Sequence, residues 1–249
     1  MILLGFVLLA AGPAHGEFRG AEDAFRAGHY EAAFDKAGAE HTADAHAFRA
    51  RSLLAMAMSG EADPPRSLLD AALSEAETAL ALEPLHIEGR LQKAIALSLI
   101  LRPMSLGEAN RTGYGGQSRS LAEEVLKGDP ENYYAHGFLA VWHVEVVRRG
   151  GLAGSAIMGA SVRTGRGHYE EAIRLAPDDA GLHWQWARAL AALDARKYRR
   201  EIETALAAAK AVDPQTELDR VMRGRAEKLL TALGRHAVRD VERQARQML

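Results

Sequence analysis

The sequence predicts an all-α protein built from repeated pairs of antiparallel helices. Four segments share one ending, a helix-like tail closed by a proline: Ala79 to Pro84, Val125 to Pro130, Ala172 to Pro177 and Ala209 to Pro214. Proline cannot continue a helix, so each one marks where a helix ends and the next begins. After the first three prolines, apolar residues recur at three- and four-residue spacing over Ile87 to Leu101, Tyr133 to Val147 and Ala180 to Leu193.

The first residues have the features of an export signal. Residues 2–11 form a short apolar core, followed by Gly12-Pro13 and by small residues three and one positions before Glu17. This pattern predicts a cleaved signal peptide over residues 1–16, a repeat domain over 17–249 and a periplasmic or secreted location. A buried first helix and a membrane anchor are the alternatives, although about ten apolar residues are few for a bilayer span.

Small residues recur at one position of the predicted helices. Ala94, Ala140 and Ala187 each stand ten residues after a proline, and Gly28-His29-Tyr30-Glu31-Ala32-Ala33 reads as a turn between two helices. This combination resembles the tetratricopeptide repeat (TPR) family, in degenerate form. The resemblance implies an α-solenoid of about five antiparallel helix pairs with capping helices at its C-terminal end.

The spacing of the prolines departs from the family's period of about 34 residues. The intervals are 46 residues from Pro84 to Pro130, 47 from Pro130 to Pro177 and 37 from Pro177 to Pro214. The excess falls within the third and fourth helix pairs, in residues 102–119 and 148–167, and both segments contain clustered glycines. We therefore predict that these two hairpins are widened, with glycine-containing turns at 113–116 and 150–154.

A weaker resemblance covers the second half of the chain. Residues 135–140 read AHGFLA, and after a long interruption residues 168–177 read HYEEAIRLAP, followed by a helix with His183. This order is similar to the repeat region of the regulator of microtubule dynamics family. It implies a repeat scaffold with widened hairpins and brings no catalytic residue.

Composition and charge exclude several classes of function. The absence of cysteine excludes disulfides, thiolate zinc sites and thiol catalysis. Residues 17–90 carry fourteen acidic and seven basic side chains, whereas residues 196–249 carry thirteen basic and eight acidic ones. This asymmetry is compatible with head-to-tail self-association, an acidic partner, an anionic membrane surface or simply solvated helix faces. A net charge of −2 without aromatic residues among the arginines argues against nucleic-acid binding.

No motif in the sequence indicates catalysis. His143 and Glu145 lack the Pro-Cys-x-x-Cys partner of zinc deaminases, and the glycine segments lack the ending of a phosphate-binding loop. His136 and His143 could share a helix face, but no third metal ligand stands near them. The sequence therefore predicts a protein that is not an enzyme and has neither a cofactor nor a metal site.

The resemblance to TPR proteins implies a ligand groove lined by the first helix of each pair. Alignment from the prolines puts these residues on it: Glu88, Leu91, Ile95, Tyr134, Gly137, Val141, Glu145, Trp184 and Arg188. Tyr134 and Trp184 would supply buried area for a bound peptide, and Glu145 and Arg188 would set its direction. Packing between helices is the alternative for both aromatic residues, and the one that we favour for Trp142 and Trp186.

Three functional hypotheses follow. The leading one is a non-enzymatic exported scaffold that binds a protein or peptide in this groove. The second is a binder of a small apolar ligand, accessory to a solute transport system, in which the apolar stretch from Leu152 to Met158 closes a pocket near Trp142. The third is an architectural subunit that self-associates through its unlike-charged ends.

Overall fold

The computed structural model describes residues 19–38, 41–60 and 63–248, and this part of the chain forms thirteen α-helices. Their bounds are α1 Arg19–Arg26, α2 Tyr30–Ala37, α3 Ala43–Ser59, α4 Arg66–Leu82, α5 Ile87–Leu101, α6 Leu106–Thr112, α7 Tyr114–Gly128, α8 Tyr133–Met158, α9 Val162–Leu175, α10 Ala180–Asp194, α11 Arg199–Ala211, α12 Glu217–Arg235 and α13 Val238–Gln247. None of these helices is long and apolar enough to cross a membrane. The predicted signal peptide lies outside the described residues.

The helices pack as five antiparallel pairs followed by two capping helices. The pairs are α1 with α2, α3 with α4, α5 with α7, α8 with α9, and α10 with α11. Helices α12 and α13 pack against α10 at the C-terminal end. The predicted α-solenoid is therefore confirmed, including the turn at Gly28, whose φ of 81° suits glycine.

Each proline is followed by similar local hydrogen bonds, which together we call the backbone frame of a repeat unit. Two residues after the proline stands a cap whose side chain accepts a hydrogen bond from the backbone N–H three residues on, at 2.9–3.1 Å in every case: His86, Asn132, Asp179 and Thr216. Six residues after the first three prolines, a side chain donates to the proline carbonyl at 3.0 Å: Arg90, His136 and His183. Both contacts satisfy backbone groups that a helix end leaves unpaired.

Small residues let the two helices of a pair approach closely. Ala94, Ala140 and Ala187 are each at most 1% exposed. A Cβ atom at Gly165 of α9 would lie 2.8 Å from the carbonyl oxygen of Ala140, so only glycine fits there without displacing backbone. Gly137 has the same role between α8 and α10, because Leu182 Cδ2 lies 2.4 Å from its Cβ position.

The two widened hairpins differ in how they are built. In the third pair, α6 is a separate helix that begins at a capping box of Ser105 and Glu108 and ends at Gly113, whose φ is 69°. In the fourth pair, α8 continues to Met158 across a break at Gly151, where φ is 57° and ψ is −152°. The prediction of a turn at residues 150–154 is therefore wrong in detail, because the helix resumes after one non-helical glycine and the turn falls at 159–161.

The main hydrophobic core lies in the C-terminal half. It joins α8, α10, α11, α12 and α13 around side chains that are fully buried: Trp184, Trp186, Leu190, Ile202, Leu206 and Leu229. Helix α10 contacts α8, α9, α11, α12 and α13, which leaves almost no face of it in solvent.

The solenoid curves until its C-terminal helices reach its N-terminal pairs. Arg225 of α12 donates to the carbonyl oxygens of Met58 and Gly60, each at 2.6 Å. Arg102, just after α5, donates to the carbonyls of Arg246 and Met248 at 3.2 and 3.1 Å. The inner surface is therefore bounded by α12 and is not an open trough along its whole length.

Candidate functional site

The inner face of the solenoid is formed by α3, α5, α8, α10 and α12. The residues predicted to line a groove there differ widely in exposure. Tyr134 is 52% exposed, whereas Leu91, Trp184 and Arg188 are at most 5% exposed. The others are partly buried: Glu88, Ile95, Gly137, Val141 and Glu145. In this conformation, the predicted residues thus form no continuous open groove.

Trp184 is enclosed because it belongs to the main core, in which α10 packs against α8, α11, α12 and α13. One turn later, the guanidinium of Arg188 donates to Gln185 Oε1 at 3.0 Å and to Glu145 Oε1 at 3.2 Å. Both side chains are held by the protein itself and cannot contact a bound peptide in this conformation. The alignment from the prolines missed this because it did not place the capping helices.

A network of arginines surrounds Glu145 where the inner helices end. Arg148 pairs with its other carboxylate oxygen at 2.7 Å. Burial alone would raise the pKa of Glu145, but Arg188 and Arg148 hold it below its usual range. Burial and the neighbouring Arg188 lower the pKa of Arg102 to about 10. Glu145 pairs with both Arg148 and Arg188, so removal of Glu145 would leave buried arginine charge without its partner and destabilise the protein.

The other end of the inner face is accessible and negatively charged. Tyr133 and Tyr134 stand in the first turn of α8, with ring centroids 4.3 Å apart. Asp179 caps α10 and Asp219 lies in the first turn of α12. Burial raises the pKa of Asp179, and the nearby Asp219 raises it further. We call Tyr30, Tyr133, Tyr134, Asp179 and Asp219 the tyrosine site.

Tyr30 contributes an unused polar group to this site. Its side chain is buried, and its hydroxyl has no hydrogen-bond partner in the protein. Burial, together with the charges of Glu217 and Asp219, raises its pKa to about 12. A buried hydroxyl without a partner is costly, and such groups in native proteins call for an explanation.

Three histidines meet between α8 and α9. His136 Nδ1 lies 3.0 Å from His168 Nδ1, and the ring of His143 stacks on that of His168 with centroids 5.9 Å apart. Burial, with a smaller contribution from His168, lowers the pKa of His143 to about 4. Across the described ranges, no three or more His, Cys, Asp or Glu side chains are arranged to hold a metal ion. The three imidazoles therefore contact one another and pack α8 against α9.

The stretch proposed to close an apolar pocket projects into solvent. Leu152 is 95% exposed and Ile157 is 83% exposed, whereas Trp142 is buried and donates to the carbonyl of Gly115 at 2.9 Å. A surface pocket of about 450 Å³ lies elsewhere, beside α11, and is polar in part. Its walls are Tyr169, Lys197, Tyr198, Arg200, Glu201, Thr204 and Ala205.

Comparison with known proteins supports the fold. No protein-family model matches the chain, and no curated protein sequence matches it. Among solved structures, the chain is similar to the crystal structure of TTC0263, a thermophilic TPR protein from Thermus thermophilus. The TM-score is 0.58 at 17% identity, covering 86% of this chain and 97% of that one. The resemblance to the regulator of microtubule dynamics family stays a prediction. The chain thus has a TPR-like helical-repeat fold.

Proposed function

We propose that the protein is a non-enzymatic interaction scaffold that binds a positively charged segment of a partner protein at the tyrosine site. The observation that carries this proposal is the exposed ring of Tyr134, which contacts Tyr133 and lies in the electrostatic field of Asp179, while Tyr133 also feels Asp219. Exposed tyrosines supply contact area at a low cost in entropy, and they are enriched at sites that dominate binding energies.

The charge of the site favours a cationic ligand. The pKa of Asp179 is raised mainly by burial and further by the charge of Asp219, so a positive neighbour would favour its charged form. Arg51 also lies near the site, but it forms an ion pair with Glu88, whose Oε1 is 3.3 Å from the Nε of Arg51. A lysine or arginine side chain of a partner would neutralise the two aspartates, and its alkyl part would cover the tyrosine rings.

The shape of the inner face limits the length of that segment. Trp184, Arg188 and the Glu145 network fill the middle, and α12 bounds the side. A short segment or a single helix end therefore fits better than a long extended peptide along the whole solenoid.

The wider assignment rests on the fold and on the sequence. A solenoid presents surfaces and does not by default build a catalytic pocket, which supports a role other than catalysis. The pattern of residues 1–16 supports export, which would place the scaffold in the cell envelope. The small-ligand alternative has no comparable support, because Leu152 and Ile157 line no cavity and project into solvent.

Peptide binding measured by fluorescence anisotropy tests this proposal. The probes are two labelled peptides of equal length, one of alternating lysine and alanine and one of alternating glutamate and alanine. We expect preferential binding of the lysine peptide, weakened by added salt. Tyr134→Ala should reduce its affinity about 5- to 10-fold, and Asp179→Asn with Asp219→Asn, which keeps a capping oxygen at both positions, about 3- to 10-fold.

Asp70→Asn is the matched control, because Asp70 is an exposed carboxylate on the outer helix α4 that pairs only with Arg66 in the described part of the chain. It should leave the affinity unchanged. Equal binding of the two peptides, or equal loss in the control and in the site variants, would show that the tyrosine site does not recognise cationic segments.

A further inference from the structure

We infer that the protein also docks on anionic membrane surfaces, through the edge of the solenoid at which the inner helices end and the outer helices begin. This inference does not depend on the tyrosine site, which lies at the opposite edge, where the inner helices begin. It starts from the end of α8, which projects beyond the packed repeats.

The projecting segment exposes an apolar face. After the break at Gly151, the resumed helix places Leu152, Ala153, Ala156 and Ile157 on one side, and all four are exposed or nearly so. Leu152 and Ile157 are the two most exposed of the large hydrophobic residues in the described ranges. Exposed apolar side chains at the tip of a projection are typical of peripheral membrane binding.

The stretch of chain that contains this tip is basic. Between Glu145 and Glu170 the chain has four arginines and no acidic residue. Arg163 stands at the start of α9, and Arg149 donates to the carbonyls of Leu101 and Met104. The same edge carries three more cations, between α10 and α11: Arg196, Lys197 and Arg200.

The α9 and α11 parts of this edge are joined directly. Arg166 of α9 forms a two-point ion pair with Glu201 of α11, both bonds being 2.9 Å long. The partly polar pocket beside α11 opens between them and includes Lys197 and Arg200 in its wall. Lipid phosphates would therefore contact the exposed cations Arg163, Arg196, Lys197 and Arg200 while the tip enters the interface.

A membrane explains this combination better than a protein partner does. A stable protein interface needs about 800 Å² on each side, and two large apolar side chains on a narrow projection supply a small part of that. Shallow insertion of a few apolar side chains next to cations is sufficient for reversible binding to anionic lipid. No described helix spans a bilayer, so the contact would be peripheral.

Vesicle co-sedimentation of the full chain tests the inference. The vesicles are pure phosphatidylcholine, or phosphatidylcholine with one quarter phosphatidylglycerol. We expect binding to the anionic vesicles that weakens in high salt, and at least about five-fold weaker binding to the neutral ones. Leu152→Ser with Ile157→Ser should reduce binding to anionic vesicles by a similar factor, as should replacement of Arg163, Arg196, Lys197 and Arg200 by Gln.

Matched controls lie at the opposite edge. Leu85→Ser removes a leucine that is 69% exposed between α4 and α5. Replacement of Lys36, Lys127 and Lys210 by Gln removes three cations at the ends of outer helices. Because residues 2–11 are apolar themselves, all variants are compared in the full chain, and helical circular dichroism checks that each one folds.

Three results would overturn the inference. They are an absence of binding to anionic vesicles, equal binding to neutral vesicles, and equal losses in the edge variants and the controls. Sedimentation velocity adds a fourth. If the Leu152 and Ile157 variant converts a dimer into a monomer, the tip pairs with a second copy of the chain instead of lipid.

Discussion

The repeat units that follow Pro130 and Pro177 share one backbone frame but bury their inner side chains differently. Both have a side-chain cap two residues after the proline and a histidine that donates to the proline carbonyl four residues later. Seven residues after the proline, however, α8 has Gly137 and α10 has Trp184. Thirteen residues after it, α8 has His143 and α10 has Leu190.

The surroundings account for this difference. Helix α10 is covered by α12 and α13, so its inner face belongs to the main core. At the first turn of α8, in contrast, Tyr134 stays exposed. Equivalent positions in a repeat protein thus share their backbone contacts, whereas their exposure depends on which helices pack beyond the unit.

The largest expected effect is a difference in stability between variants of the inner aromatic residues of these two units, Trp184 and Tyr134. Trp184→Ala removes a fully buried side chain and should lower the free energy of unfolding by about 3–5 kcal/mol. Tyr134→Ala removes a half-exposed ring and should cost less than about 1 kcal/mol. Urea unfolding followed by circular dichroism measures both. Similar losses in the two variants would mean that Tyr134 is as enclosed as Trp184.

A pH-dependent effect should distinguish His143 from its counterpart Leu190. The pKa of His143 is about 4 in the folded protein, against 6.5 for a free histidine. Between pH 4 and pH 6.5 the unfolded chain binds more protons at this residue than the folded protein does. The contribution of His143 to the free energy of unfolding is therefore fully present above pH 6.5 and falls as the pH drops towards 4. We expect a loss on the order of 2 kcal/mol from this residue.

His143→Leu copies the neighbouring unit and should remove that part of the pH dependence. Urea unfolding of wild type and variant at about pH 7.5 and about pH 4.5 gives the comparison. His168, whose pKa is also lowered by burial, stays in both proteins, so part of the pH dependence remains. Parallel losses in wild type and variant would show that His143 is charged in the folded state.

The smallest expected effect tests what the two units share. Asn132→Ala and Asp179→Ala each remove a cap that accepts a backbone hydrogen bond, at 3.0 and 2.9 Å. Each should cost about 1 kcal/mol. Asp179→Asn retains a capping oxygen, so its loss of stability should be only a few tenths of that amount. A cost several times larger at one cap than at the other would show that the two frames are not equivalent.

Most of the helix boundaries could be predicted because they depend on local chemistry. The run from Ile87 to Leu101 coincides with α5, and the run from Ala180 ends one residue short of α10. Prolines, caps and apolar spacing act within a few residues of one another. The clearest error, at residues 150–154, arose because a single glycine can break a helix without ending it.

The candidate site could be predicted only in part. Tyr134 was placed on the inner face by its distance from Pro130. Tyr30 and Asp219, in contrast, come from the first and last parts of the described chain, and they lie close enough to share an electrostatic field only because the solenoid closes on itself. The signal for Asp219 in the sequence is its position five residues after Pro214, which capping explains equally well, and Tyr30 has no comparable signal.

The sequence by itself determined the helices, their pairing and the repeated frame, because these follow from contacts within one unit. Tertiary structure alone decided which inner positions are exposed. Packing of α10 against its neighbouring helices buried Trp184 and Arg188, and the curvature of the solenoid brought Arg225 to the carbonyl groups at the end of α3 and left Tyr134 accessible. The contacts that close the solenoid join residues more than a hundred positions apart, and no local pattern specifies them.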